Sequence, residues 1–291
     1  MDTTFLAPVD GGSLTVHRGG TPGAPPVLLV HGITGSGMSW LRTSESLRDL
    51  DVIAPDLRGR GGSGSLTAPF GIVQHADDLE AVLDHLGLGT ATVAGHSMGG
   101  FVAVAFAARH PDRLAGLVLV DGGIPLALPE DVDPDAAVQT TLRPSLQRLS
   151  MTFADPEAYR DFWRAHPAFD GHLNEYAQAY VDYDLTGDEP ALHSKVNPDA
   201  VAVDSRDMVE LSLTGTALPL RSGTPLLRAP RGLVNELPGL YPPEHAAAWA
   251  DRTEALELVE VPGINHYTIL FDAVGVEAVV RAIRGQLPAP G

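Results

Sequence analysis

The sequence contains no cysteine. Disulfides, thiol nucleophiles, thiolate zinc sites and iron–sulfur clusters are therefore excluded. Lysine is almost missing too. Lys195 is the single one, and no G-x-x-x-x-G-K motif precedes it, so a P-loop is absent. Positive charge is scarce overall, with 19 Lys and Arg against 37 Asp and Glu and a formal net charge of −18. A surface of that sign repels phosphate backbones and anionic membranes, which argues against nucleic acid and membrane insertion and disfavours a polyanionic substrate. No apolar run reaches membrane-spanning length, and residues 1–12 lack the basic start and apolar stretch of a signal peptide. A cytoplasmic protein is expected. Neither an H-E-x-x-H motif nor a His/Asp cluster at metal-ligand spacing occurs, so no metal or cofactor is expected.

What is present suits a single large α/β domain. The chain has 291 residues and 44% hydrophobic content, enough for a substantial core. Two apolar runs around Asp10-Gly11-Gly12 read as a hairpin. Val27–Val30, Val52–Ala54, Thr90–Val93 and Leu114–Val120 are short apolar strand candidates, separated by stretches with helical periodicity. Strands alternating with helices at this spacing predict a doubly wound, mostly parallel sheet, with ligands bound beyond the carboxyl ends of the strands. His31, Asp56, Ser97 and Asp121 each follow a strand candidate and should share that rim.

The rhythm breaks between 124 and 222. Helical candidates lie near 134–151, 155–165, 172–183 and 204–213, with no convincing strand. This stretch is expected to form a helical cap inserted into a core made of 1–123 and 223–291. Trp40 from the core, with Phe162, Trp163, Tyr176 and Tyr180 from the cap, are candidates to line a pocket, although cap aromatics are equally suited to packing the cap itself. After the cap come a strand at Pro225–Arg228, a helix from Pro243, a strand at Leu256–Val261 and a closing helix near 272–286.

The stretch Thr90–Phe101 carries the chemistry. A β-branched run breaks at Gly95-His96-Ser97-Met98-Gly99 and continues into an alanine-rich helix candidate. G-x-S-x-G between a strand and a helix lifts the serine hydroxyl clear of the sheet, with the helix N-terminus behind it. A serine hydroxyl is a weak nucleophile near neutral pH and needs a base. Among eleven histidines, His266 stands out, because it follows a strand and a Pro-Gly turn on the rim side. His31 is expected to brace a loop.

These segments together resemble the α/β-hydrolase fold. The matching stretches are VLLVHGITG (28–35 and its flank), PDLRGRGGSG (55–64), AGHSMGG (94–100), LVLVD (117–121) and PGINHYTIL (262–270), in the family's order. The resemblance implies a Ser–acid–His triad with Ser97 as nucleophile and His266 as general base. It also implies an oxyanion hole built from the backbone amides of Ile33 and Met98. Relatives commonly carry the acid after the strand that follows the cap. The usual Gly-x-x-Asp is missing from Arg231–Glu236 here, which leaves Glu236 as the nearest ionisable match. Asp121 is the alternative, since some relatives take the acid from the strand before the cap. The expected activity is cofactor-independent hydrolysis of an ester, lactone or thioester of a small to medium hydrophobic molecule. Carbon–carbon bond hydrolysis, acyl transfer or cyclisation on the same triad, and ligand binding without turnover, are the alternatives.

Overall fold

The computed structural model describes residues 1–129, 133, 136, 147–171, 173–214, 218 and 220–289. An eight-stranded sheet runs through it. β1 (Thr3–Val9) and β2 (Gly12–Gly20) form the expected antiparallel hairpin. β3 (Pro26–Val30), β4 (Asp51–Pro55), β5 (Ala91–His96) and β6 (Leu114–Val120) follow. Between them lie α1 (Leu41–Ser46), α2 (Ile72–His85) and α3 (Met98–Arg109). Next comes an insertion holding α4 (Pro156–Arg164), α5 (Glu175–Asp184), a two-residue pair β7 (Leu185–Thr186) and β8 (His193–Ser194), and α6 (Pro198–Thr214). The chain then returns to the sheet through β9 (Thr224–Arg228), α7 (Pro243–Arg252), β10 (Leu256–Glu260), α8 (Thr268–Phe271) and α9 (Ala273–Gly285). Strand order is β1-β2-β4-β3-β5-β6-β9-β10, antiparallel at the β1 end and parallel from β4 onward.

The continuous apolar runs make sense once both faces are covered. In β3, Leu28 and Val30 point into the layer packed by α2, α3 and α7, while Val27 and Leu29 point into the layer packed by Trp40, Leu47, α8 and α9. β6 repeats the pattern, with Leu117 and Leu119 on the first face and Val118 and Val120 on the second. Side chains alternate along a strand, so a strand buried on both sides must be apolar throughout.

Two expectations about the insertion change. The helix foreseen near 204–213 begins at Pro198, where proline suits a first turn. The antiparallel pair β7–β8 was not foreseen, because two-residue strands are too short to show alternation. The helix expected near 134–151 falls mostly outside the described residues, as does position 172 at the start of the next one.

Buried polar contacts hold the insertion to the rim. The Tyr183 hydroxyl donates to Asp56 Oδ2 at 2.6 Å. Asp204 of α6 meets His75 Nε2 at 2.9 Å and accepts from the Gly71 amide at 2.8 Å. Among the described residues no helix is long and apolar enough to cross a membrane.

The crossing of β5 into α3 leaves no space for side chains at its glycines. A Cβ on Gly95 would lie 2.0 Å from the Gly99 carbonyl oxygen, and one on Gly99 would lie 2.2 Å from that of Val30. Both obstacles are backbone and cannot rotate away. Gly95→Ala is therefore expected to destabilise the fold by roughly 3 kcal/mol or more, read as a lowered urea midpoint with an unchanged slope. A change within about 0.5 kcal/mol would show that the crossing can relax.

Candidate active site

The parallel register brings four strand ends level. Val30 pairs with Gly95, His96 with Val120, and Val120 with Leu227. The residues just beyond these ends are Gly32 and Ile33, Ser97, Asp121, and Ala229. Ser97 has φ 55° and ψ −123°, a left-handed conformation that a non-glycine residue adopts only when its surroundings impose it. Its amide donates to the Val120 carbonyl at 3.0 Å, tying the turn to β6. The Gly32 loop closes over it: a Cβ on Gly32 would lie 3.1 Å from Ser97 Cβ. Ile33 and Met98, the two expected oxyanion donors, therefore flank Ser97. Met98 opens α3, so its own amide has no acceptor within the helix.

Asp121 is fully buried, also with positive φ, and both of its carboxylate oxygens are engaged. Oδ1 accepts from the Ala229 amide at 3.0 Å, and Oδ2 accepts from His266 Nδ1 at 2.7 Å. Glu236, the sequence's preferred acid, is not the imidazole's partner. It is exposed, and its Oε2 accepts from the Val234 amide in its own loop at 2.8 Å. That loop turns back on itself, with the Gly232 amide donating to the Glu236 carbonyl. Asp121 needs no loop at all, because β6 lies beside β9 and delivers it directly.

His266 is buried and held by its neighbours. Asn265 Oδ1 accepts from the Thr268 amide while its own amide donates to Thr268 Oγ1, the reciprocal bonds of a capping box at the start of α8. An Asn followed three positions later by Thr was the signal for this short helix, and sequence reading missed it. The His266 amide donates to the Arg231 carbonyl at 3.0 Å. His96 Nε2 donates to the His266 carbonyl at 2.9 Å, with the two rings 4.7 Å apart. Burial, reinforced by the nearby His266 ring, keeps His96 well below the ordinary histidine range, so it acts as a neutral brace.

Ser97 and His266 open onto one cavity that also touches Ile33, Met98, Phe101, Leu126, Met208 and Leu240. Among the described residues its lining contains no Asp, Glu, Lys or Arg. Of the five aromatics proposed for the pocket, Tyr180 alone reaches it. Trp40 is fully buried beneath the sheet, against Val27, Leu29 and the closing helix. Phe162 and Trp163 pack with Tyr159 and Phe153 as the insertion's own core. Tyr176 turns outward to Glu45 Oε2 at 2.8 Å, under Arg42. The aromatic positions of α4 and α5 thus mostly satisfy the insertion's packing, and the cavity is lined by aliphatic side chains together with Phe101, Tyr180, Tyr267 and Phe271. Among the described residues no cluster of three or more His, Asp or Glu could hold a metal ion.

A hydroxyl, a buried imidazole and a buried carboxylate at one rim, with a helix N-terminus behind the hydroxyl, can activate an oxygen nucleophile and stabilise an oxyanion. The sheet order, the strand–turn–helix at Ser97 and the histidine loop together decide the fold. The chain has the α/β-hydrolase fold. The family model described as "alpha/beta hydrolase fold" matches residues 25–162. The chain is 36% identical to lipase LipV of Mycobacterium tuberculosis over 172 residues, 57% of this chain and 62% of that protein. It is 36% identical over 161 residues to the putative carbamate hydrolase RutD of Caulobacter vibrioides, 55% of this chain and 56% of that protein. The matches therefore span little more than half the length of these curated relatives. A solved thermophilic esterase from Thermogutta terrifontis superposes with a TM-score of 0.64 at 25% identity, covering 97% of each chain.

His31, buried at the rim, carries a pH consequence. Its Nδ1–H donates to the Gly32 carbonyl at 2.8 Å, and its Nε2 accepts from the Leu57 amide at 2.9 Å, so it braces two rim loops as a neutral ring. Burial pushes it down from 6.5 to about 4. Between these values the unfolded chain binds the extra proton, so stability is fully present above pH 6.5 and falls as pH drops toward 4. Lowering pH from 7 to 5 should remove up to about 2 kcal/mol through this ring alone. His31→Gln should show a smaller loss over the same interval in urea titrations; an equal loss would remove His31 as the source.

Proposed function

We propose that the chain is a cofactor-independent serine hydrolase that cleaves a neutral, hydrophobic carboxylic ester, lactone or thioester. The observation that carries this reading is the buried Asp121 carboxylate hydrogen-bonded to His266 Nδ1 at the rim of the cavity that also holds Ser97. In this reading Ser97 Oγ attacks the acyl carbon while His266 Nε2 takes its proton. Asp121 holds the ring in the Nδ1–H tautomer and offsets the charge that develops on it. The carbonyl oxygen becomes an oxyanion held by the Ile33 and Met98 amides. The His266 proton passes to the leaving alcohol or thiol, leaving an acyl-Ser97 ester. Water, deprotonated by His266, then releases the acid and restores Ser97.

The insertion, expected over 124–222, serves as a cap that shapes the substrate space through Tyr180 and Met208. With no charged side chain among its described lining residues, the cavity offers no partner there to a carboxylate or ammonium on the substrate, and desolvating either would be costly. The names of the two curated relatives, a lipase and a putative carbamate hydrolase, both describe attack at an acyl carbon and support the same reaction class.

Steady-state hydrolysis of p-nitrophenyl butyrate and labelling by a fluorophosphonate test the assignment. Ser97→Ala should abolish labelling and lower kcat/KM on the order of 10³-fold or more, and Asp121→Asn should lower it on the order of 10²-fold or more. Glu236→Gln should stay within about twofold of the parent. Labelling that survives Ser97→Ala sinks the nucleophile assignment. Loss of turnover in Glu236→Gln with Asp121→Asn intact would transfer the acid role back to Glu236.

A further inference from the structure

The loop Leu57–Gly64 carries a guanidinium that the chemistry above does not use. Arg60 is fully buried. Its Nε donates to the Ile33 carbonyl at 2.9 Å, and its Nη1 donates to the Arg58 carbonyl at 2.9 Å. The same Nη1 lies 2.5 Å from Asp204 Oδ2 on α6, and Nη2 approaches Met98 Sδ at 4.0 Å. One side chain thus touches both residues whose amides flank Ser97, and its counter-ion comes from the insertion rather than from the core.

We propose that Arg60 is a positioning residue for the oxyanion site, anchored by Asp204, so that the aim of the Ile33 amide depends on the seating of α6. The proposal rests on the serine-hydrolase reading for its catalytic consequence. The loop Gly32–Gly35 is a tight turn closed by the Gly35 amide on the Gly32 carbonyl at 2.9 Å. The Ile33 carbonyl projects from that turn, and no second donor to it is found among the described residues. Holding this carbonyl limits rotation about Ile33 and so fixes where its amide points. Oxyanion donors act only when aimed in advance at the position where charge develops.

Arg60 can hold this position because its planar fork reaches several acceptors at once, which a lysine ammonium on a flexible stem does not. A buried guanidinium persists only with a counter-ion, and Asp204, itself fully buried, supplies it. Asp204 is fixed in turn by His75 Nε2 and the Gly71 amide. A chain of direct contacts therefore runs from α2 and α6 through Asp204 and Arg60 to Ile33.

Two variants test this: Arg60→Lys, which keeps a cation facing Asp204 but loses the donor to Ile33, and Asp204→Asn, which keeps the shape but removes the counter-charge. Each is assayed with p-nitrophenyl butyrate, with an aryl trifluoromethyl ketone as oxyanion mimic, and by amide hydrogen exchange over residues 28–36. Both variants should lose about tenfold or more in kcat with KM within about threefold, and should bind the ketone more weakly by a similar factor. Exchange at Ile33–Gly35 should quicken about tenfold or more while the β3 amides hold. Folded variants with parental kcat and unchanged exchange overturn the proposal. A wild-type protein inert toward esters and fluorophosphonate would defeat the hydrolase reading alone; faster exchange in the variants would still uphold the clamp, and unchanged exchange would still overturn it. Should Asp204→Asn fail to fold, Arg60→Lys decides by the same measurements.

Discussion

The Asp121 carboxylate is where the rim is tied together. One oxygen takes the amide of Ala229 beyond β9, and the other takes the Nδ1–H of His266 beyond β10. Its own amide bonds to the Leu227 carbonyl at 2.7 Å, and the neighbouring β6 residue Val120 accepts from the Ser97 amide. A fully buried anion tolerates this position only because every oxygen is engaged. Once it is, the histidine loop has a fixed height above the sheet, and the imidazole has a fixed tautomer and faces the cavity that Ser97 enters.

Neutral histidines do much of the remaining bracing. His31 links the loops after β3 and β4, and His96 holds the carbonyl of His266. Both are pushed down by burial, so they remain uncharged donors and acceptors beside the His266 ring. An arginine or lysine in either place would set a permanent charge beside the His266 ring. The insertion adds a second kind of bracing through ions, with Asp204 and Tyr183 reaching core groups that line or support the rim.

Local patterns were enough to read most of the scaffold. The elbow at Gly95–Gly99, the alternating apolar strands and the glycine-rich loop at 57–64 each leave a signature within a few residues. His266 was legible because it follows a strand and a Pro-Gly turn. The carboxylate that meets His266 was not legible in the same way: Glu236 had the better spacing along the chain, whereas Asp121 lies next to the ring in space. The pocket aromatics failed for a related reason. Trp40, Phe162 and Trp163 have the composition of a pocket wall, yet composition does not say which face of a helix turns toward the substrate and which toward its own core.

The sequence by itself determined the strand–turn–helix at Ser97, the order of the parallel strands' contributions to one rim, and the exclusion of thiol and P-loop chemistry, because these follow from short-range sterics and residue type. Only the tertiary structure decided that Asp121 meets His266, which side chains line the cavity, and that Arg60 and Asp204 connect the insertion to Ile33. Each of these joins residues far apart in the chain, from 27 residues between Ile33 and Arg60 to 145 between Asp121 and His266. Sheet order and the docking of α6 set those distances, and neither is written in any local stretch.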